Sequence, residues 1–242
     1  MRLGAEAWLM LLALALYVVD ALLLLASNEA VLVRGWRRRW RAGFGAHGWK
    51  LAAKEPYLPN PLTPHRPLLR LSWAFDAEPP RATGAEPLTV PPEIDTFGPF
   101  TIVSLLCIFV GLPIGLFIGV GVAFTAGAVV LLYLNNLVAL GLVFKRRGKL
   151  NLSQRQFALM AFECLACPPF SINLVRKLCA RVPVEESFTS VARRTLPAEE
   201  LAVVNAQCLL RLEEQLAYAP EGGAQMQALQ AARTRFTSVD ES

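Results

Sequence analysis

Thr96 to Phe144, TFGPFTIVSLLCIFVGLPIGLFIGVGVAFTAGAVVLLYLNNLVALGLVF, runs for 49 residues without a charged side chain. A helix needs about 20 apolar residues to cross roughly 30 Å of hydrocarbon. The run is too long for one span and suits two joined tightly. Gly119-Val120-Gly121 is the natural turn, which predicts spans over Phe100–Ile118 and Val122–Phe144. Pro113 lies inside the first and can kink it, as packed membrane helices tolerate.

Of 242 residues, 54% are apolar and 18% charged, with a mean hydropathy of +0.41. Ordinary soluble domains carry about 45–50% apolar and about 25% charged residues. A single soluble domain, a disordered chain and a disulfide-stapled module are thereby excluded. Trp8–Ser27 (WLMLLALALYVVDALLLLAS) is a second long apolar stretch, broken only by Asp20. Its nine Leu and two Val, at about 0.3–0.6 kcal/mol each, offset a central aspartate that costs about 2.5–3.5 kcal/mol. It is expected to insert as a first span; a cleaved signal peptide is the rival, countered by the long apolar core and the arginines that follow.

The expected fold is therefore an all-α integral membrane protein with three transmembrane helices. An N-terminal span (residues 1–33) precedes a cytoplasmic Arg/Trp anchor and Pro-rich strap (34–98), a transmembrane hairpin (99–144), a helical cytoplasmic tail (145–236) and a disordered end (237–242). Basic residues near span ends mark the cytoplasmic side. Arg34, Arg37, Arg38, Arg39 and Arg41 follow span one, and Lys145, Arg146, Arg147 and Lys149 follow span three. With three spans these share a side, so the N-terminus lies outside and the C-terminus in the cytoplasm. Arginine (19) outnumbers lysine (5) in a chain rich in Ala and Leu, a composition that often accompanies GC-rich bacterial genomes and so points to an inner membrane.

Trp36 and Trp40 interleave with those arginines, and together with Lys145, Arg146 and Arg147 they are expected to anchor in anionic headgroups. Basic patches with aromatics also bind single-stranded nucleic acid. Beside a span the lipid reading is preferred, and no nucleic-acid partner is expected. Short strands near 29–36 and 48–54 form a small β element. Residues 56–99 hold 11 of the 17 prolines, so an extended or polyproline-like strap is expected there. Beyond Lys149, Ser153 and Gln156 make a capping-box signal, and Pro168-Pro169 ends the helix it starts. Ile172, Val175, Leu178, Cys179 and Val182 form the next apolar stripe, with Arg176, Lys177 and Arg181 opposite, as in helices lying along a membrane. A third helix begins near Pro197 and presents Leu201, Val204, Cys208, Leu212 and Leu216.

Catalytic signatures are absent: there is no P-loop, dinucleotide fingerprint, GxSxG elbow or HExxH. The two histidines are far apart in sequence, and His47 has no Cys or carboxylate at ligand spacing. No catalytic residue, metal or cofactor is expected, and the chain leans away from being an enzyme. Cys164-Leu-Ala-Cys167 has redox spacing, but it occurs without a thioredoxin-like βαβ pattern, and packed helix cysteines are the plainer reading. Gly111, Gly115 and Gly119, with Gly127 in the following helix, recur at spacings that let backbones approach, either within the hairpin or between protomers. Asp20 is an intramembrane carboxylate and by default a functional candidate. Equal depth in parallel spans predicts that it pairs with Asn135 or Asn136, with Tyr17 one turn away. The first expectation of function is a non-enzymatic interaction, assembly or accessory subunit, partnered by another membrane protein or by its own copies. The alternatives are an oligomeric transporter or channel using Asp20, Asn135 and Asn136, and a membrane thiol-redox protein using Cys164 and Cys167.

Overall fold

A computed structural model describes residues 4–35, 39–73, 90–118, 120–182, 186–218, 220 and 223–238. It corrects the all-α, three-span expectation. Among the described residues the chain is about 64% helical with five short antiparallel strands, and two helices rather than three are long and apolar enough to cross a membrane. It divides into two compact units: residues 1–22, 58–67 and 90–182, and residues 23–57, 68–89 and 183–242.

The expected first span is where the expectation fails. Helix α1 covers Ala5–Ala21, only 17 residues, and Leu22 is already extended. Leu23–Leu25 then forms β1, antiparallel to β4 (Glu55–Tyr57). A continuous run of leucines has no period, so it suits a buried strand as well as a helix. Hydropathy alone could not place the switch. An outside N-terminus rested on three spans, and with two that basis is gone.

In the first unit the apolar hairpin forms as the turn residues require. Its first arm, Pro92–Phe117, has mean hydropathy 2.5, and its second, α5 (Val122–Arg146), 2.0. The first arm comprises α2 (Pro92–Asp95), α3 (Gly98–Leu106), a π-helical turn at Cys107–Gly111 and α4 (Leu112–Phe117). The wide turn precedes Pro113, whose missing N–H cannot bond the Phe109 carbonyl. Gly121 opens α5 with φ +109°, in the left-handed region that glycine tolerates. At the open end, Arg146 Nη1 donates to Thr96 Oγ1 (2.8 Å), and Lys149 lies 3.5 Å from Glu93. The two arms therefore begin and end together.

Beyond α5 the chain turns through Asn151 (φ +51°) into α6 (Gln154–Ala166). The capping box is present: Ser153 Oγ accepts from the Gln156 N–H, and Gln156 Oε1 from the Ser153 N–H. Pro168–Asn173 is a 3₁₀ turn, followed by the short α7 (Leu174–Cys179). Helix α1 packs on that turn. Tyr17, Cys107, Ile108, Leu132 and Ile172 form one buried cluster that joins α1, both hairpin arms and the 3₁₀ turn. Arg176 and Lys177, expected on a solvated face, are instead drawn inward, since Arg176 is buried.

The second unit is built on β2 (Glu29–Arg34), flanked by β3 (Trp40–Gly43) and β5 (Leu68–Ser72) in the order β3-β2-β5. Part of the proline-rich strap is thus a paired strand. Successive β2 side chains face opposite ways. Ala30 and Leu32 join Leu71, Trp73 and residues of α8 (Phe188–Thr195) and α9 (Ala198–Tyr218), while Val31 packs with Leu25 and Leu68. Helix α10 (Ala224–Ser238) contributes Leu229 and Ala232 against Leu212 of α9.

Candidate functional site

Both units bury charge, and those places are where chemistry would reside. Asp20 sits at the end of α1. Its Oδ2 accepts from Asn173 Nδ2 (2.9 Å), and its Oδ1 lies 2.8 Å from Lys177 Nζ. Lys177 also reaches Glu163 Oε2 at 2.7 Å and stands 4.7 Å over the Phe170 ring. Burial acts to lower the Lys177 pKa, but the hydrogen bonds to Asp20 and Glu163 outweigh it and the net direction is upward. Arg176 orders the neighbourhood: it donates to Asn173 Oδ1 (3.1 Å) and to the Asn60 carbonyl (2.7 Å). Tyr17 donates its hydroxyl to the Pro61 carbonyl.

Asp20 does not pair with Asn135 or Asn136. Those residues centre on Ser104, near the middle of the first arm. Asn135 Nδ2 donates to Ser104 Oγ and to the Phe100 carbonyl, both at 3.0 Å. Ser104 Oγ donates to Asn136 Oδ1 (3.1 Å), and Ser171 Oγ lies 3.0 Å away. Equal depth in parallel spans singles out these polar groups but not their partners. Lys177 and Asn173 lie more than 150 residues from Asp20, and nothing local announces them.

The glycine series divides. Gly111 lies against Ala128 across the hairpin, and Gly115 lies so close to Thr125 that a Cβ would fall 2.3 Å from its Oγ1. A Cβ added at Gly127 would meet nothing within 4 Å among the described residues beyond its own helix backbone, and Gly119 lies outside the described residues. Of the expected headgroup anchors, Trp36, Arg37 and Arg38 also lie outside them. Trp40 packs against the core of the second unit, Arg41 stands 3.7 Å from Glu200, and Arg147 stacks 4.8 Å from the Phe144 ring. Arg34 pairs with Trp40 in register across β2 and β3, and Arg39 accepts the Gly35 N–H on its carbonyl. Cys164 is buried, and burial pushes its thiol up to about 12; Cys167 is shifted up for the same reason. A thiol this hard to ionise is a poor nucleophile.

The second unit holds a cluster that the sequence did not reveal. Arg211 of α9 and Glu55 of β4 are both fully enclosed, with Arg211 Nη2 at 2.7 Å from Glu55 Oε2. The same Nη2 donates to the Gly45 carbonyl (3.0 Å), Nη1 donates to Gln207 Oε1 (2.9 Å), and the guanidinium lies 4.7 Å from the Phe44 ring. Gly45 permits this approach, because a Cβ there would meet the Glu55 side chain at 2.2 Å. One turn along α9, Glu214 Oε1 takes Lys50 Nζ at 2.5 Å. The Lys50 hydrogen bond, followed by the charges of Lys50, His47 and Arg211, outweighs burial and lowers the Glu214 pKa. His47 Nδ1 stands 3.9 Å from Glu214 Oε2, too far for a hydrogen bond. Expected in sequence to stand alone, His47 has its carboxylate neighbours only in the fold.

No protein family, curated protein or solved structure matches this chain.

Proposed function

We propose that the chain is a membrane-anchored accessory or assembly subunit. In this reading the hairpin Pro92–Arg146 enters the bilayer as two spans, and the second unit stands in the cytoplasm as the part that engages other proteins. One observation carries the anchoring. Only 22% and 28% of an 18-residue apolar stretch in each of the two arms is buried within the protein, whereas a core helix of a soluble domain would be mostly covered. Exposed patches on soluble proteins rarely exceed a few hundred Å², so lipid or another membrane helix is the natural cover. Helix α1 adds Trp8, Leu9, Leu11, Leu12 and Leu14 to the exposed apolar surface. Lys145, Arg146, Arg147 and Lys149 cluster at the open end of the hairpin, and the tip carries no charge, which supports an inner-membrane orientation with both flanks cytoplasmic.

The accessory role is favoured over transport because Asp20 has both oxygens engaged and belongs to a different network from Asn135 and Asn136. It is favoured over thiol redox because Cys164 is enclosed and hard to ionise. Alkaline extraction should leave the chain in the membrane pellet. In intact cells an impermeant maleimide should label Val120→Cys, while Trp49→Cys should react only after lysis, each judged against the parent chain. Release by alkali, or the reverse labelling, rejects the anchored reading. Stable heteromers in mild detergent support the accessory role, and a homogeneous ring of this chain alone rejects it.

A further inference from the structure

We propose that His47, Glu55 and Glu214 form a binding site for a divalent first-row metal cation. Each residue offers one ligand atom, and the three atoms lie within 4.8 Å of one another. They come from separate places in the second unit: His47 from the segment after β3, Glu55 from β4 and Glu214 from α9. His47 and Glu55 are neighbours along the chain, their flanks joined by the Ala46 N–H to the Pro56 carbonyl, but only the fold brings Glu214 to them.

The independent observation is what the carboxylates leave undone. Glu55 is almost completely enclosed, and its Oε2 is taken by Arg211, yet Oε1 has no hydrogen-bond partner among the described residues. Glu214 repeats the pattern: Oε1 meets Lys50, and Oε2 is buried with no hydrogen-bond partner among the described residues. Buried acceptors are ordinarily satisfied, and leaving one unmade costs about 1–3 kcal/mol, more when it is charged. Two carboxylates, each with an oxygen left over and both meeting one imidazole nitrogen, ask for a shared positive ligand.

The donor set chooses the class of ion. One imidazole with two carboxylates suits Zn²⁺, Fe²⁺, Mn²⁺ or Co²⁺ rather than a soft, thiolate-preferring ion. Ligands at about 2.0–2.2 Å from tetrahedral zinc stand about 3.4 Å apart, so the three atoms, within 4.8 Å of one another, need to close by up to about 1.4 Å. His47 and Glu214 can supply that movement, with side chains 43% and 23% exposed. Arg211 and Lys50 each hold the second oxygen of a ligand carboxylate, the place an orienting outer partner occupies. Both are cations, so they oppose the metal charge. Lys50, more exposed, is the one able to leave.

The full chain in mild detergent, titrated with Co²⁺ and followed by visible absorbance, tests this. Saturation at one Co²⁺ per chain is expected, displaced by Zn²⁺ and without the intense near-ultraviolet band of a cobalt–thiolate bond. His47→Ala and Glu214→Gln should each weaken binding about tenfold or more. Lys50→Ala should tighten it, because the repelling ammonium is gone and Glu214 gains a second free oxygen. An ion-pair network with no metal role predicts no such gain. No saturable binding, a thiolate band, or affinity unchanged in both His47→Ala and Glu214→Gln overturns the proposal. His47 is a surface side chain, so His47→Ala and Lys50→Ala decide the matter even where Glu214→Gln fails to fold.

Discussion

In the first unit Asp20 engages both carboxylate oxygens, one with Lys177 and one with Asn173. In the second, Glu55 and Glu214 each engage one oxygen and leave the other buried without a hydrogen-bond partner among the described residues. Both places contain acids and bases in partial or full burial, but only the first is closed upon itself. A closed ionic cluster can register a helix against its neighbours, since every charge has its partner at hand. An open one has acceptor capacity to give to something else. The contrast teaches that burial of charge is not by itself a functional signal. The unsatisfied remainder is.

The largest effect should come from breaking the enclosed pair of the second unit. Arg211→Met strands the Glu55 carboxylate and should cost about 3–5 kcal/mol of stability in urea unfolding. Adding Glu55→Leu should recover most of that loss, because removing both charges ends the desolvation penalty. A double variant as weak as the single would mean that the pair does more than balance itself. In the closed cluster Lys177→Met should cost less, about 2–3 kcal/mol, since Asn173 still holds Asp20. The pH dependence there has a definite sign. The Lys177 pKa is raised above 10.5 in the folded chain, so its contribution is complete below about pH 10.5 and is lost as pH climbs through the folded value. Thermal scans from pH 8 to 11 should show the parent losing stability at the alkaline end and Lys177→Met losing less.

Smaller effects sharpen the contrast from the apolar side. Ser104→Ala removes the hub shared by Asn135, Asn136 and Ser171 and should cost about 0.6–2 kcal/mol in detergent unfolding. A loss of several kcal/mol would make the hub, rather than the glycine contacts, the main lock of the hairpin. The smallest change is expected of the thiols. With its pKa pushed up to about 12, Cys164 should resist iodoacetamide at pH 8 in the folded chain and react once unfolded. Cys164→Ser combined with Cys167→Ser should leave assembly in mild detergent almost unchanged.

What the sequence disclosed was local. The break at Gly121 before α5, the Ser153/Gln156 capping box, the stop at Pro168-Pro169 and the helix start after Pro197 rest on neighbouring residues and appear where expected. The apolar stretch after Asp20 was misread because Leu22–Leu25 has no periodicity to tell strand from helix. The strand at Leu68–Ser72 was hidden by the prolines around it, although none lies inside it. The sites were less legible than the elements. Asp20 was recognised as unusual, yet its partners lie on a turn and helix far along the chain. His47, Glu55 and Glu214 were invisible as a group, because β4 and α9 bring them together from opposite ends of the sequence. Gly45, which lets Glu55 and Arg211 approach, reads in sequence as one more loop glycine.

Gly115 pressed against Thr125, with Gly121 completing the turn between their helices, has a consequence for how the protein is made. Inserted as proposed, the hairpin asks the cell to move no polar loop across the bilayer, since Ile118 to Gly121 contains no charged residue. The arms can pair while still beside the ribosome and enter together, without a separate start and stop signal for each. A bulky residue at Gly115 would hold the arms apart at the leading end, and the damage would fall on the efficiency of entry into the membrane during synthesis.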